Sequence, residues 1–363
     1  MNITKPKMRL NAIQFFTNTS IMMSMMLIPL MANELGATLT QVGIIMSVYG
    51  ICLFISSYMF SKAADEWDIK KLLLLGLACS AVAYFLQVFA YDPLSLAVIR
   101  GLLGICVGMY PAALIMHVYG QKRSLGKFIS LGALGWAAGF LGAGLIGNYN
   151  IIFVVSALMV LVSLFIAAGM QRVEVERIKV DYFSFSTIKK NWNIYLTFFL
   201  RHTGAVAIWT IFPLYLTTLG ADKFWIGVIY TINPIVQFFV MRRLDSLNME
   251  KVVKAGYLFS IAAFISLIPA TVFYHVIPSM LLVATSWSFL LVGSTELLIR
   301  GNTDKATASG FLNSVISLSM IFGALIGGAI ANQWGFQVVF AIAGGLSLVS
   351  FMISSTTLTQ SKA

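Results

Sequence analysis

Twelve long apolar runs, separated by short polar turns, make up most of this chain. They cover residues 10–32, 39–61, 71–91, 94–118, 126–146, 150–170, 193–217, 224–241, 252–273, 276–298, 308–330 and 335–357. Each run is close to the about 20 residues that a helix needs to cross about 30 Å of hydrocarbon. A helix also satisfies its own backbone hydrogen bonds where no water is present. The pattern therefore predicts an all-α integral membrane protein with twelve transmembrane helices.

The first six runs and the last six share an internal repeat. A charged turn at residues 61–71 recurs at residues 241–251, and an offset of 180 aligns Asp65 with Asp245. Upstream of these turns, Pro29-Leu30 recurs as Pro213-Leu214, at an offset of 184 residues. Repeats of this size are a feature of membrane proteins built from two related halves. They predict an N-terminal six-helix half at 1–170, a cytoplasmic linker at 171–192 and a C-terminal six-helix half at 193–363.

Composition and charge agree with this topology. The sequence is 59% hydrophobic and 10% charged, against roughly 25% charged in an ordinary soluble domain. Of its 24 Lys and Arg residues, Arg100 and Arg201 lie inside runs. In the predicted topology, Lys223 falls on one side of the membrane and the rest fall on the other side. Because basic loops are retained on the cytoplasmic side, we expect both termini to be cytoplasmic, in a plasma (inner) membrane. The net charge of +11 then reflects topology, and no nucleic-acid partner is expected.

Few residues suit enzymatic chemistry. The three histidines, His117, His202 and His275, lie on separate segments, and the three cysteines have no metal-ligand spacing. The chain also has no Gly-rich phosphate loop of the P-loop kind. We therefore expect a protein that is not an enzyme and that holds neither a metal nor a cofactor.

The charged turn lies between the second and third runs, where its pattern of charges resembles a motif of the major facilitator superfamily. That motif reads Gly-x-x-x-Asp-Arg/Lys-x-Gly-x-Arg/Lys-Arg/Lys, and the matching positions are Asp65, Lys70 and Lys71. The departures are Ser61, Glu66 and Asp68. In the family the Asp holds a cytoplasmic gate closed. The resemblance carries that role over to Asp65 only. The candidate gate residues are Asp65, the matching Lys70 and Lys71, and Asp245 as the counterpart of Asp65 in the second half.

A second resemblance lies in the fourth run, where Arg100-Gly-Leu-Leu-Gly104 is similar to the family's Arg-x-x-x-Gly motif. That motif is associated with proton coupling, so Arg100 is a candidate coupling residue, together with Glu296 of the tenth run. Arg100 lies about seven residues into its run, on the order of 10 Å deep. A charge at that depth is costly unless it faces a polar cavity or a partner. The Gly-rich fifth run resembles an exporter motif, with Phe140 in place of Pro, but helix packing is the favoured interpretation.

The resemblance also implies that the first, fourth, seventh and tenth runs line a central cavity. The candidate substrate-binding residues on these runs are Asn18, Tyr110, Arg201, His202, Trp209 and Trp287. Two intramembrane arginines with almost no intramembrane acid give a positive potential, and guanidinium groups recognise carboxylate or phosphate. A polar or anionic solute is therefore favoured. The aromatic side chains would suit a drug-like or sugar-like solute equally well.

Together these features predict the major facilitator fold, with twelve transmembrane helices in two six-helix pseudo-repeats. The expected function is secondary active transport of a small organic solute by alternating access, with protons as the coupling partner in symport or antiport. The expected state is a monomer in the lipid bilayer. Two alternatives stay open. One is a multidrug exporter of lipophilic compounds from the same superfamily, and the other is a non-transporting membrane sensor or assembly factor.

Overall fold

The computed structural model describes residues 6–66, 68–120, 125–171, 185–244, 247–302 and 305–360, and the regular structure in these ranges is helical. The helices of the first half are α1 (Pro6–Met26), α2 (Ile28–Glu34), α3 (Leu39–Glu66), α4 (Ile69–Leu86), α5 (Pro93–Met109), α6 (Pro111–Gly120), α7 (Leu125–Ile146) and α8 (Tyr149–Ala168). Those of the second half are α9 (Phe185–Lys190), α10 (Trp192–Thr218), α11 (Lys223–Met241), α12 (Met249–Ile265), α13 (Ile277–Gly301), α14 (Lys305–Trp334) and α15 (Phe336–Gln360).

These helices account for all twelve predicted runs. In the described ranges, ten helical segments are long and apolar enough to cross a membrane. The remaining two runs correspond to α7, which contains the apolar stretch Leu131–Ile146, and to α12, which has 17 residues. The prediction of an all-α membrane fold is confirmed.

Proline divides two of the spans into paired helices. The first span, Met8–Glu34, changes from α1 to α2 at Leu27, with Pro29 in the first turn of α2. The fourth span, Pro93–Val118, changes from α5 to α6 at Tyr110, immediately before Pro111. Proline lacks a backbone N–H and clashes with the preceding turn, so it is tolerated where a helix begins. Both breaks therefore follow from local sequence.

The internal repeat is visible in the backbone at the helix ends. Gly36 and Gly220 both adopt left-handed φ, 91° and 87°, and lie 184 residues apart, which is the offset that relates the first spans of the two halves. Glycine adopts this conformation without a Cβ penalty and commonly ends helices. The same turn therefore follows the first span of each half.

The first turns of α4 and α12, which are equivalent helices of the two halves, are capped in the same way. The Asp68 carboxylate accepts the backbone N–H groups of Lys70 and Lys71 at 3.0 and 3.2 Å, which caps α4. The Asn248 side chain accepts the N–H of Lys251 at 3.2 Å and caps α12 in the same way. Such caps satisfy N–H groups that have no partner inside the helix. Asp68, a departure from the family motif, therefore has a structural role as an N-cap.

A capping box begins α5. Asp92 accepts the N–H of Ser95 at 2.7 Å, while the Ser95 hydroxyl accepts the N–H of Asp92 at 3.0 Å. Hydrogen bonds from the Ser95 side chain and backbone lower the pKa of the Asp92 carboxyl, which lies just before the fourth span. Because the ionised carboxylate is the better acceptor, this cap is weakened as pH falls through the lowered pKa.

The chain folds as two compact units. Unit 1 holds the described residues within Met1–Ala37, Ile45–Ile178 and Asp222–Pro234, and unit 2 holds those within Thr38–Ile44, Lys179–Ala221 and Ile235–Ala363. The predicted boundaries at 1–170, 171–192 and 193–363 stay predictions. Residues 172–184 of the predicted linker lie outside the described residues.

Polar contacts explain why the start of α11 belongs to unit 1. Lys223 Nζ lies 3.4 Å from Glu34 Oε1 and 3.8 Å from the centre of the Tyr149 ring. The Tyr149 hydroxyl donates to Glu34 Oε1 at 2.6 Å. Nearby, Gly144 of α7 packs directly against Gly227 of α11, backbone to backbone. The polar contacts of Lys223 with Glu34 and Tyr149, together with the glycine contact, hold residues 222–234 to this unit.

Close helix packing in both units depends on small residues. In unit 1, Gly135 and Gly139 of α7 lie against backbone carbonyls of α1. In unit 2, Gly323 and Gly327 of α14 lie against the backbone of α10 at Thr203 and Ala207. Small residues let membrane helices approach closely enough for direct backbone contact. This geometry supports the packing interpretation of the Gly-rich runs.

Candidate functional site

Arg201 lies on α10 in the interior of unit 2 and is only 1% exposed. Its Nε donates to the hydroxyl of Ser260 on α12 at 2.7 Å, and its Nη2 donates to the hydroxyl of Ser286 on α13 at 2.9 Å. Its guanidinium carbon lies 5.4 Å from the centre of the Phe264 ring. These partners are neutral, and among the described residues no carboxylate pairs with Arg201. The guanidinium is therefore hydrogen-bonded but keeps an unneutralised positive charge.

The two serines form a network of their own. Their hydroxyls lie 2.5 Å apart, and both donate to the carbonyl of Gly256, at 3.0 Å from Ser260 and 2.8 Å from Ser286. Each hydroxyl can therefore keep a backbone acceptor whether or not Arg201 is present. The network joins α10, α12 and α13 within unit 2.

His202 and Trp287 form an aromatic stack beside this network. Their ring centres lie 4.8 Å apart with the planes 30° apart, and Phe198 packs against Trp287 in an edge-on geometry at 5.8 Å. Trp287 is half-buried, whereas His202 is only 9% exposed. In the part of the chain that the structure describes, His202 Nδ1 has no hydrogen-bond partner. The structure thus brings together two of the predicted substrate residues, next to Arg201.

Arg100 occupies the interior of unit 1 and is also 1% exposed. Its guanidinium carbon lies 4.2 Å from the centre of the Tyr49 ring, and Nη1 donates to Gln87 Oε1 at 3.3 Å. Nε and Nη2 find no partner among the described residues. A cation over a desolvated aromatic ring gains about 2 kcal/mol, which offsets part of the cost of burial. Two guanidinium nitrogens therefore remain available for a further partner in the surroundings of the described residues.

Asn18 of unit 1 also contacts an indole. Trp136 Nε1 donates to Asn18 Oδ1 at 2.8 Å, and Asn18 Nδ2 donates to the carbonyl of Gln14 at 2.8 Å. The offset of 184 that relates the first spans of the two halves also relates Asn18 to His202. Equivalent positions on these two spans thus carry a polar side chain in contact with a tryptophan, each within its own unit.

Tyr110 and Trp209 lie apart from these contacts. Tyr110 is buried at the junction of α5 and α6, where its backbone and Cβ pack against Gly76. Trp209 is half-buried, packs edge-on against Phe212 at 5.5 Å and lines an apolar pocket inside unit 2. Their proposed roles in substrate binding stay predictions.

Of the two predicted coupling residues, Glu296 lies at the surface. Its Oε1 accepts from Arg300 Nε at 2.8 Å, one turn along α13, and both side chains are partly exposed. Surface pairs of this kind contribute little to stability, about 0.3–0.5 kcal/mol. Glu296 therefore has an ion-pair partner on its own helix, whereas Arg100 is deeply buried.

The predicted gate residues are only partly described. Lys70 Nζ donates to the carbonyls of Ala168 and Met170 at 2.8 and 2.6 Å, and Arg9 donates to the carbonyl of Gly169. Two cations thus satisfy the C-terminal carbonyls of α8, where the helix dipole favours positive charge. The Lys71 side chain is exposed. The side chain of Asp65 and the whole of Asp245 lie outside the described residues, so the gate stays a prediction.

Sequence reasoning missed several partners of the candidate residues. Those missed are Tyr49, Gln87, Trp136, Phe198 and Ser260. The position of Ser260 within an apolar run was a usable signal, because a hydroxyl in a span needs a hydrogen-bond partner. Within the described ranges, no group of three or more His, Cys, Asp or Glu side chains is arranged to hold a metal ion.

Comparison with known proteins assigns a family and a fold. The model of the Major Facilitator Superfamily matches residues 10–301. Multidrug resistance protein MdtG of Salmonella arizonae is 22% identical over 371 residues, which cover 94% of this chain and 92% of that protein. The uncharacterized MFS-type transporter YttB of Bacillus subtilis is 23% identical over 364 residues, which cover 91% of this chain and 88% of that protein.

Two solved structures share the architecture over almost the whole chain. The nucleoside transporter NupG superposes with a TM-score of 0.82 at 14% identity, covering 98% of this chain and 99% of that one. The human organic anion transporter MFSD10 (TETRAN) superposes with a TM-score of 0.72 at 15% identity, covering 97% and 100%. At these identities the likeness establishes the fold alone.

Proposed function

Since the chain belongs to the Major Facilitator Superfamily and is a membrane transporter, we propose that it is a secondary active transporter of a small polar or anionic organic solute. The proposed mechanism is alternating access, in which the binding site opens to one side of the membrane at a time. The residues proposed to bind the solute are Arg201, His202 and Trp287 in unit 2, and Asn18 in unit 1. Tyr110 and Trp209 are kept as further candidates.

The observation that carries this proposal is the unneutralised charge of the buried arginines. Arg100 and Arg201 are each 1% exposed, and neither pairs with a carboxylate in the described ranges. Burying such a charge is costly, so a charged group inside a membrane span is a candidate functional residue. Two opposite unit charges about 10 Å apart attract each other with an energy of roughly 1.7 kcal/mol at an effective dielectric constant of about 20. An anionic solute at that distance would gain roughly fifteenfold in affinity.

Proton coupling is the second part of the proposal. The free Nε and Nη2 donors of Arg100 support it, because they can bind a group whose charge changes with protonation. Glu296 is the other proposed coupling group, although its pairing with Arg300 would first have to break. Lys70, Lys71, Asp65 and Asp245 are proposed to control the cytoplasmic gate.

We further propose that the protein resides as a monomer in the inner membrane with both termini cytoplasmic. The support for this orientation is the distribution of Lys and Arg, since basic loops are retained on the cytoplasmic side. The bacterial relatives agree with an inner-membrane location.

A multidrug exporter of lipophilic compounds is the competing candidate. It is favoured by the aromatic cluster of Phe198, His202 and Trp287 and by the similarity to MdtG over 94% of the chain. Under this alternative the arginines stabilise the fold through their neutral partners and have no direct role with the solute. The two candidates differ in the charge of the preferred ligand.

Thermal unfolding of the detergent-solubilised protein separates these candidates without a prior guess of substrate. The panel holds small organic carboxylates, sugars, nucleosides and lipophilic cations, each at millimolar concentration. A ligand of the folded state stabilises it by RT ln(1 + [L]/Kd), or about 2.7 kcal/mol at a hundredfold excess over Kd. We expect carboxylates to raise the unfolding temperature more than matched neutral compounds. Stabilisation by lipophilic cations alone would reject the anionic solute and favour the multidrug exporter.

A further inference from the structure

The stacked pair of His202 and Trp287 has the features of a ligand subsite. The rings come from two helices, α10 and α13, with their centres 4.8 Å apart and their planes 30° apart. Trp287 is only half-buried, and the ring of Phe198 packs edge-on against its indole with the ring centres 5.8 Å apart. Because packed neighbours already hold the indole in place, it loses little freedom when the ring of a ligand also stacks on it.

A buried polar atom adjoins this aromatic surface. His202 is only 9% exposed, and its Nδ1 has no hydrogen-bond partner in the described part of the chain. Buried polar atoms are normally paired, and an unpaired one destabilises the folded state. A ligand that hydrogen-bonds to Nδ1 would remove that deficit. The atom therefore indicates a ligand with a polar group next to its ring.

The third feature is the charge beside the stack. Arg201 precedes His202 on α10, and its hydrogen-bond partners Ser260 and Ser286 are neutral. The uncompensated guanidinium repels a cationic ligand and attracts an anionic one. A flat ring and a nearby carboxylate would use the stack and the charge at once.

We propose that the transported solute is a planar aromatic acid, whose ring stacks on Trp287 and whose polar group hydrogen-bonds to His202 Nδ1. This inference rests on the proposed function, because it assigns the substrate class of the same site. It excludes neutral sugars, which stack on indoles but carry no charge, and lipophilic cations, which stack but are repelled by Arg201.

Matched pairs of probes test the stacking separately from the charge. Benzoate and cyclohexanecarboxylate have the same charge and similar size but differ in aromaticity, as do 2-naphthoate and its decahydro analogue. Benzylamine and benzyl alcohol keep the ring without the negative charge. Dissociation constants are measured by titration calorimetry on the solubilised protein and on the variants Trp287→Leu and Trp287→Phe.

We expect each aromatic acid to bind roughly three- to tenfold more tightly than its saturated partner, which is the range that ring–ring contacts supply. The ratio should fall to about one in Trp287→Leu and should persist in Trp287→Phe, which retains a ring. A purely structural role for Trp287 would instead change the affinities of both acids equally, and that result would overturn the proposal.

The remaining outcomes distinguish this inference from the proposed function. Equal binding of aromatic and saturated acids to the wild type would reject the stacking and leave the anionic solute intact. Binding of benzylamine with no binding of either acid would reject both. Binding of benzyl alcohol as tightly as benzoate would keep the stacking, but would reject the acid and with it the proposed charge recognition.

Discussion

Replacing Arg201 with methionine should weaken the binding of an organic anion by roughly fifteenfold or more while leaving the protein folded. The loss follows from removing a unit charge from a site of low dielectric constant. The fold should persist because the hydroxyls of Ser260 and Ser286 can still donate to the carbonyl of Gly256 without Arg201. Methionine also fills most of the vacated volume with an unbranched apolar chain. Titration of the solubilised variant with the best carboxylate measures the effect.

Two further variants control this experiment. Arg201→Lys keeps the charge but cannot donate to both serines from a planar fork, so it should retain part of the affinity. Lys70→Ala removes a positive charge that is hydrogen-bonded to the helix-end carbonyls of Ala168 and Met170 within unit 1, so it should leave binding unchanged. Equal anion affinity in Arg201→Met and the wild type would remove Arg201 from the site.

Replacing Gly327 with leucine should cause the largest loss of stability. The Cβ of any side chain at this position would clash with the backbone of Ala207 on α10. A backbone cannot rotate away as a side chain can, so α10 and α14 would have to separate. Overpacking in a tight interior costs about 1–3 kcal/mol and sometimes more, and here we expect the upper end. The monodisperse fraction after size-exclusion chromatography and the unfolding temperature should both fall sharply.

Gly345→Leu is the matched control for this prediction. Gly345 also lies within a long apolar helix, α15, but a Cβ there meets no atom within 4 Å. The same substitution should therefore leave folding and yield close to those of the wild type. Similar yields and unfolding temperatures for the two leucine variants would contradict the close approach of α14 to α10.

The helical architecture could be predicted because its signals are local and periodic. Apolar runs of the right length predicted the twelve helical segments that the structure shows, ten of which are long and apolar enough to cross a membrane. The repeat at an offset of 184 aligns Gly36 with Gly220 at the ends of equivalent helices. Both glycines have the left-handed backbone that such an end requires. Proline at positions 29 and 111 likewise marks the two helix breaks. These features depend on neighbouring residues only.

The surroundings of the candidate residues could not be predicted in the same way. Arg100 meets Tyr49 of α3 and Gln87 after α4, and these contacts depend on how each helix is rotated about its axis. Hydropathy says little about that rotation when every face of a span is apolar. Asp68 differs, because an Asp directly before an apolar helical run is an N-cap signal that the family motif obscured.

The contact between His202 and Trp287 could not be predicted from the sequence for the same reason. Both residues were predicted to bind substrate, each because it is an unusual side chain within a span. Their stack joins positions 85 residues apart in sequence, on α10 and α13. The relatives do not identify the substrate either, since identities of 22–23% come with names that specify only drug resistance or a transporter type.

Counterflow in proteoliposomes is the most direct measurement of transport by alternating access. Vesicles are loaded with the tightest-binding unlabelled aromatic acid and diluted into a trace of the same acid carrying a radiolabel, at a pH where the carboxylate is ionised. We expect the label to accumulate transiently above its equilibrium level in wild-type vesicles, and to show no such overshoot in Arg201→Met vesicles. If wild-type vesicles take up label no faster than protein-free vesicles, the proposed transport of aromatic acids is wrong.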